Sequence, residues 1–290
     1  MTPDGPKVVA LGGGHGLAAT LRATRRYAGE MTAIVSVADD GGSSGRLREA
    51  LGIAAPGDLR RCLVALAADE RSLWARAFDH RFEAGELEGH ALGNLLIAGL
   101  AGAAGDFLAG LDEAARLLDT VGRVLPATTS PVVLKGQAAG GAVEGQVAVA
   151  STDRVEAVSL VPPDAEPPPP AVEAIAAADQ VIVGPGSLFT SVLAVLAVPA
   201  IREALRQTPA RSVYVCNLAT QEPETTGFDG AAHVRALLAH GYTPDVVLCD
   251  PARLAPGDMP VPRVERPLAR ADGLAHDPAR LAEALRELLD

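Results

Sequence analysis

Three times in this chain a short apolar run stops at a cluster of glycines and gives way to a segment of helical character. Lys7 to Leu11 ends in Gly12-Gly13-Gly14-His15-Gly16 and leads into Leu17–Tyr27. Met31–Ala38, a β-branched run suited to a strand buried on both faces, ends in Asp39-Asp40-Gly41-Gly42-Ser43-Ser44-Gly45 and leads into Arg46–Leu51. Gln180–Val183 ends in Gly184-Pro185-Gly186-Ser187 and leads through Thr190 and Ser191 to Leu196, and a fourth run, Ser212–Cys216, carries Asn217 at its tip. A strand, a glycine turn and a helix together aim free backbone N–H groups and the positive end of a helix dipole at an anion. Strands alternating with helices imply an α/β fold, a mostly parallel sheet with helices on both faces. Ligands of such sheets collect at the carboxyl ends of the strands. The expectation is one phosphate-bearing small molecule above Gly12–Gly16, reached by several of these turns.

The rest of the chain fills in the same pattern. Pro56-Gly57-Asp58 opens a helix whose Leu59, Cys62, Leu63, Leu66 and Ala67 form one apolar stripe, with Asp58 as the expected N-cap. A helix from Ala91 carries Leu92, Leu95, Leu96 and Gly99 on one side and Asn94 on another; Asp106–Thr120 is a further helix. Pro131–Ala138 and Ala142–Ala150 read as a hairpin around Gly140-Gly141, with Val155–Val161 as a candidate third strand. Residues 162–170 hold six prolines and must form an extended connector. A helix over Ala171–Ala178, another from Asp229 to His240, a strand over Asp245–Cys249 and a terminal helix capped by Asp277 complete the reading. A single domain over 1–290 is expected, with 131–161 as an antiparallel hairpin insertion and 251–290 as a C-terminal segment ending in a helix.

Composition narrows the partners. Aromatic residues make up only 3% against 48% hydrophobic, so the core must be Ala, Val and Leu. A net charge of −11 argues against general nucleic-acid binding, which needs a basic face to exchange for counterions. The three cysteines include no CxxC pair, and the six histidines no HExxH, so neither a disulfide framework nor a zinc site is suggested. No signal peptide precedes Lys7, and the most apolar run, Ala91–Gly105, contains Asn94 and is too short to span a bilayer. The expectation is a soluble cytoplasmic protein with no membrane span.

Several chemistries fit the loops. Gly14-x-Gly16-x-x-Ala19 matches the loose dinucleotide fingerprint, but Asp39 arrives later than the usual ~20 residues. A Walker loop is excluded because no Gly-Lys-Ser/Thr follows the turn. Gly41-x-Ser43-x-Gly45 has nucleophile-elbow spacing, which would call on His90 or His233 as base. Asp39 and Asp40 are candidates for ribose hydroxyls or a hydrated Mg2+, Asp40 being the metal candidate, and His15 and His90 for donors to phosphate. One helix N-terminus contributes about 0.3–1 kcal/mol, or ~2 in favourable geometry, whereas micromolar affinity needs about 8 kcal/mol. The loops must therefore cooperate with base, ribose and arginine contacts, for which Arg46, Arg60 and Arg61 are the candidates.

Taken together, VVALGGGHGLAATLR, TAIVSVADDGGSSGRLREALGIAAPGDLRRCLVALA, GHALGNLL, ADQVIVGPGSLFTSV and VYVCNLATQEPETTGFDGAAHVRALL resemble the YvcK-type gluconeogenesis factors of the CofD-like family, over about residues 7–250. The resemblance implies a Rossmann-like three-layer sandwich, a cytoplasmic location and binding of UDP-N-acetylglucosamine. It also implies a part in cell shape and wall synthesis on gluconeogenic carbon sources, with no established catalytic reaction. The related transferase branch, 2-phospho-L-lactate transferase, moves a phospholactyl group from a guanosine nucleotide to a deazaflavin and uses magnesium, and that alternative stays open. This chain has His15 where many members have Thr, and Ala275 where they often have Arg ahead of the residue matching His276. Affinity for the sugar nucleotide is thus expected to be weaker or completed by other residues. The expected ligand set is Gly12, Gly13, Gly14, His15, Gly16, Asp39, Asp40, Gly41, Gly42, Ser43, Arg46, Asp58, His90, Asn94, Gly186, Ser187, Thr190, Asn217 and Gln221. No residue is assigned to catalysis, Mg2+ is the one cofactor considered, and association with further copies of the chain is left open.

Overall fold

Lys7–Gly12 (β1) is buried from its second residue to its last, as the middle strand of a parallel sheet must be. In the computed structural model, which describes residues 4–289, it is joined by β2 (Glu30–Val35), β3 (Arg123–Pro126), β4 (Val133–Ala138), β5 (Gly141–Glu144) and β6 (Val155–Val161). β7 (Gln180–Val183), β8 (Arg211–Val215), β9 (Val246–Cys249) and β10 (Arg263–Glu265) follow. Seven of these form one sheet in the order β10-β9-β8-β7-β1-β2-β3, every neighbouring pair parallel. The chain steps from β1 outward to β2 and β3, then returns to lay β7 on the other side of β1. The strand order therefore reverses between β1 and β7, where an open α/β sheet leaves a crevice.

The helices are α1 (Gly14–Thr24), α2 (Gly42–Leu51), α3 (Pro56–Leu66), α4 (Leu73–Asp79), α5 (Leu92–Ala104) and α6 (Phe107–Leu117). After them come α7 (Gln146–Ala150), α8 (Pro169–Ala176), α9 (Leu193–Leu196, entered through a π-helical turn, Leu188–Val192), α10 (Pro199–Gln207), α11 (Gly230–Ala239) and α12 (Pro278–Arg286). α1 packs on α3 and α12, while α10 packs on α8 and α9. β10 extends the main sheet and α12 lies on α1. The core is mainly Ala, Val and Leu, with Tyr214, Tyr242, Phe78 and Phe189 its largest fully buried side chains.

Four expectations are corrected. α1 and α2 begin inside their glycine turns, at Gly14 and Gly42, not at Leu17 and Arg46, because Gly13 and Gly41 act as extended N-cap residues. The second half of the 131–150 hairpin is not one strand: β5 stops at Glu144 and α7 follows. The cause is Asp40, whose carboxylate accepts the N–H groups of Gln146 (3.0 Å) and Val147 (2.9 Å) and so starts a helix there. Val155–Val161 does pair with β4, giving a three-stranded antiparallel sheet β5-β4-β6. On α5 the buried face is Gly93, Asn94, Ile97, Ala98 and Ala101, and Gly99 of the expected leucine side is exposed. Asn94 can turn inward because polar partners meet it. Gly93 lets the helix approach closely, since a Cβ there would stand 2.6 Å from the Phe78 carbonyl oxygen. Among the described residues no single helix is long and apolar enough to cross a membrane.

Candidate functional site

Because β1 and β7 are neighbours, with Leu11 opposite Val183, the turns that follow them share one rim. They touch. A Cβ on Gly16 would stand 2.6 Å from the Pro185 carbonyl carbon, and the Thr20 hydroxyl donates to Gly184 O at 2.9 Å. Asn217, at the tip of β8, latches the third turn from the other side. It accepts the Gly186 N–H through Oδ1 (3.0 Å) and donates through Nδ2 to Gly186 O (2.9 Å). The second turn is drawn in through Gly57 and Asp58, since a Cβ on Gly57 would meet Asp39 Oδ2 at 3.2 Å and Gly14 N–H donates to Asp58 Oδ2 at 2.7 Å.

These turns bound a cleft of about 310 Å3 at the carboxyl ends of the strands. Its floor is His15-Gly16 and Pro185-Gly186, one wall is Asn217–Gln221, and the other is Gly273–His276 with Arg253. The N–H groups of His15 and Gly16 lie in the first turn of α1, where no intrahelical carbonyl is available to them. The cleft's cation is Arg253, a residue that sequence reasoning missed. Its guanidinium donates to Gly273 O (2.9 Å), and it lines the cleft together with Ala275. No sequence signal marks Arg253, because it lies in an irregular stretch and reaches the site only through the fold of the C-terminal segment. Neither histidine of the cleft supplies charge near neutral pH. Burial, and then Arg61, lower the pKa of His15. Burial holds the pKa of His276 at about 4, while its Nε2–H donates to Cys216 O at 3.2 Å. At the rim Leu274 is 85% exposed, an apolar surface open to a ligand. Gln221 lines the same wall.

Two of the expected anion-binding positions already hold an anion of the protein itself. Asp58 is not an N-cap: α3 starts at Pro56 after an extended Ala55, which puts Asp58 in the first turn, facing across to Gly14 and paired with Arg61. At the third turn a second missed residue, Glu224, takes the helix N-terminus. Its carboxylate accepts the N–H groups of Phe189 (2.7 Å) and Thr190 (3.1 Å) and the Ser187 hydroxyl, which also bonds Thr190. Glu224 is only 4% exposed, and burial raises its pKa against the opposing pull of those hydrogen bonds. Ser187 and Thr190 are thus occupied internally.

In the second turn, Asp39 accepts the Gly41 N–H (3.0 Å), and burial, with Asp58 nearby, raises its pKa. Ser43 and His90 do meet, at 3.0 Å between Oγ and Nδ1. Yet Ser43 is 4% exposed and its oxygen also accepts from Asn94 Nδ2 (3.1 Å), so it links α2 to α5 and is shielded from attack on a substrate. His233 lies elsewhere, buried in α11 with Nδ1–H donating to Asp229 O. Arg60 closes this polar chain, bonding Asn94 Oδ1 (3.1 Å) and pairing with Asp79. Arg46 does not line the cleft but faces a separate one beside Arg48 and Arg81. Each Asp40 oxygen accepts one amide of α7, so the carboxylate proposed for a metal starts a helix in this structure. No group of three or more His, Cys, Asp or Glu converges among the described residues.

Similarity to known proteins agrees with this architecture. The sequence model of the family described as 2-phospho-L-lactate transferase CofD matches residues 8–283. The gluconeogenesis factor of Halalkalibacterium halodurans is 45% identical over 247 residues, covering 83% of this chain and 76% of that protein. The gluconeogenesis factor of Bacillus subtilis is 44% identical over 238 residues, covering 81% and 75%. The crystal structure of a UPF0052-family protein from Bacillus halodurans superposes with a TM-score of 0.92 at 38% identity, covering 98% of this chain and 99% of that one. With its family model matched from the first strand into the last helix, this chain belongs to the CofD family.

Proposed function

We propose that this protein binds a nucleoside diphosphate sugar, UDP-N-acetylglucosamine, in the cleft at the β1/β7 switch point and acts as a regulatory binding protein. Its role would be in cell shape and wall synthesis on gluconeogenic carbon, in the cytoplasm. The observation that carries the reading is the convergence of the His15 and Gly16 amides with the Arg253 guanidinium, which has no carboxylate partner among the described ion pairs, on one cleft. Amides at a helix N-terminus and a guanidinium are the donors a diphosphate requires. On the Asn217–Gln221 wall, Gln221 offers a side-chain amide for ribose or sugar hydroxyls, and Leu274 an apolar face for a base. Ser187 and Thr190, held by Glu224, shape the floor and do not donate to phosphate.

Among the described residues no carboxylate lines the cleft, so a magnesium ion bound there would be held by the ligand's own phosphates and by water. Isothermal titration with UDP-N-acetylglucosamine, with and without EDTA, tests both points. Arg253→Ala is expected to weaken binding roughly 10- to 100-fold, the worth of a charge-assisted hydrogen bond of about 1.5–3 kcal/mol. No heat at millimolar ligand would sink the reading. Preference for a guanosine nucleotide, with phospholactyl transfer to a deazaflavin detected by chromatography, would favour the transferase instead.

A further inference from the structure

The outer side of α2 carries a second concentration of positive charge. Arg46, Arg48 and Arg81 line a cleft of about 880 Å3, flanked by Gly42 and Gly89. Each guanidinium is tethered to backbone. Arg46 Nη2 donates to Glu88 O (2.9 Å), Arg48 Nη1 to Val132 O (2.6 Å) and Arg81 Nη1 to Gly89 O. None of the three joins an ion pair among the described residues. A carbonyl tether fixes the planar fork and leaves its remaining N–H groups for another acceptor.

Arg46 and Arg81 sit on consecutive carbonyls of one turn, so two like charges are held side by side, and after burial they are the next causes that lower the pKa of the adjoining His90. Such charges repel until an anion sits among them. Two carboxylates line the same cleft, Asp40 and Glu49, and neither forms an ion pair with the arginines. Each Asp40 oxygen accepts one amide, of Gln146 or Val147, and Glu49 is exposed at the cleft edge. In a chain of net charge −11, solubility gives no reason to gather three arginines here.

We propose that this cleft is a second ligand site, for a small phosphomonoester, lying across the 39–45 turn from the nucleotide cleft. The terminal oxygens of a phosphate match the planar forks of arginine pairwise, which a single carboxylate cannot do for three of them. The site shares Asp40, Gly42 and Gly45 with the second turn and none of its residues with the first cleft, so it stands apart from the nucleotide reading.

Inorganic phosphate is the probe, and NMR titration of the His90 imidazole is the readout. Phosphate is expected to raise the His90 pKa saturably, by masking the Arg46 and Arg81 charges. Arg48→Ala and Arg81→Ala are each expected to raise the half-saturating phosphate concentration at least fivefold, and Arg253→Ala to leave it unchanged. A shift that chloride reproduces at matched ionic strength, that survives both cleft variants, or that Arg253→Ala abolishes would overturn the proposal. So would no shift at all.

Discussion

Gly16→Ala tests the contact on which the cleft depends. The added Cβ would stand 2.6 Å from the Pro185 carbonyl carbon, with the Pro185 oxygen closer still and Gly186 Cα at 3.0 Å. Carbon pairs prefer about 3.5–4.0 Å, so the methyl lies about 1 Å inside the repulsive wall. All three neighbours are backbone, which no rotamer change can move, so the first and third turns must separate. Overpacking of this kind costs about 1–3 kcal/mol, and the upper end applies because main chain has to move on both sides. At roughly 2–4 °C per kcal/mol in a chain of this size, the melting temperature should fall by about 5–10 °C. Two other alanines separate clash from backbone strain and from propensity. Gly14 has φ +62° and nothing within 4 Å, so Gly14→Ala should cost only the left-handed strain of about 1 kcal/mol. Gly99 lies in α5 with open space around it, so Gly99→Ala should stabilise by about 0.5–1 kcal/mol. Thermal melting followed by circular dichroism, with nucleotide titration of each variant, reads all three. A Gly16→Ala protein that melts within a degree of the parent and binds as well would refute the loop-on-loop arrangement.

Three further outcomes follow from single side chains. His276 is held neutral with a pKa of about 4 against an ordinary 6.5. Its contribution is therefore present above pH 6.5 and lost as pH falls toward 4, about 3 kcal/mol in all; urea melts at both ends of that window should show the loss in the parent and not in His276→Gln. Glu224 has a raised pKa, so its contribution is full below the ordinary carboxylate value of 4.5 and declines as pH rises through the raised one. Glu224→Gln should flatten that decline, whereas Glu224→Ala should lose about 3–5 kcal/mol in a denaturant titration by stranding buried donors. Asp40→Ala should cost about 0.5–2 kcal/mol by uncapping α7, and faster amide exchange at Gln146 and Val147 would report it; unchanged exchange there would count against the cap.

Much was legible along the chain because its signals are local. The apolar runs ending at Leu11, Ala38, Val183 and Cys216 did become parallel strands with glycine turns or a polar tip at their carboxyl ends, since β-branched runs and glycine clusters carry their preferences in a few neighbouring residues. Apart from the starts of α1 and α2, which glycine N-caps moved, the places where local reading went astray share one cause, a polar side chain acting at long range. Asp58 resembles an N-cap beside Pro56 but serves Gly14; Asp40 resembles a ligand carboxylate but starts α7 more than a hundred positions away. Asn94 appears to lie on the wrong side of an apolar helix until Ser43 and Arg60 are brought against it. Arg253 and Glu224 had no local pattern at all.

The sequence by itself determined the class of fold, the number of glycine turns and the end of the sheet on which they gather, because periodicity and turn chemistry act within a few residues. Only the tertiary structure decided which anion each turn meets. A carboxylate supplied from elsewhere in the chain satisfies a helix N-terminus as fully as a phosphate does. Whether a turn greets a ligand or one of the protein's own acids is thus a matter of distances that a linear chain does not carry.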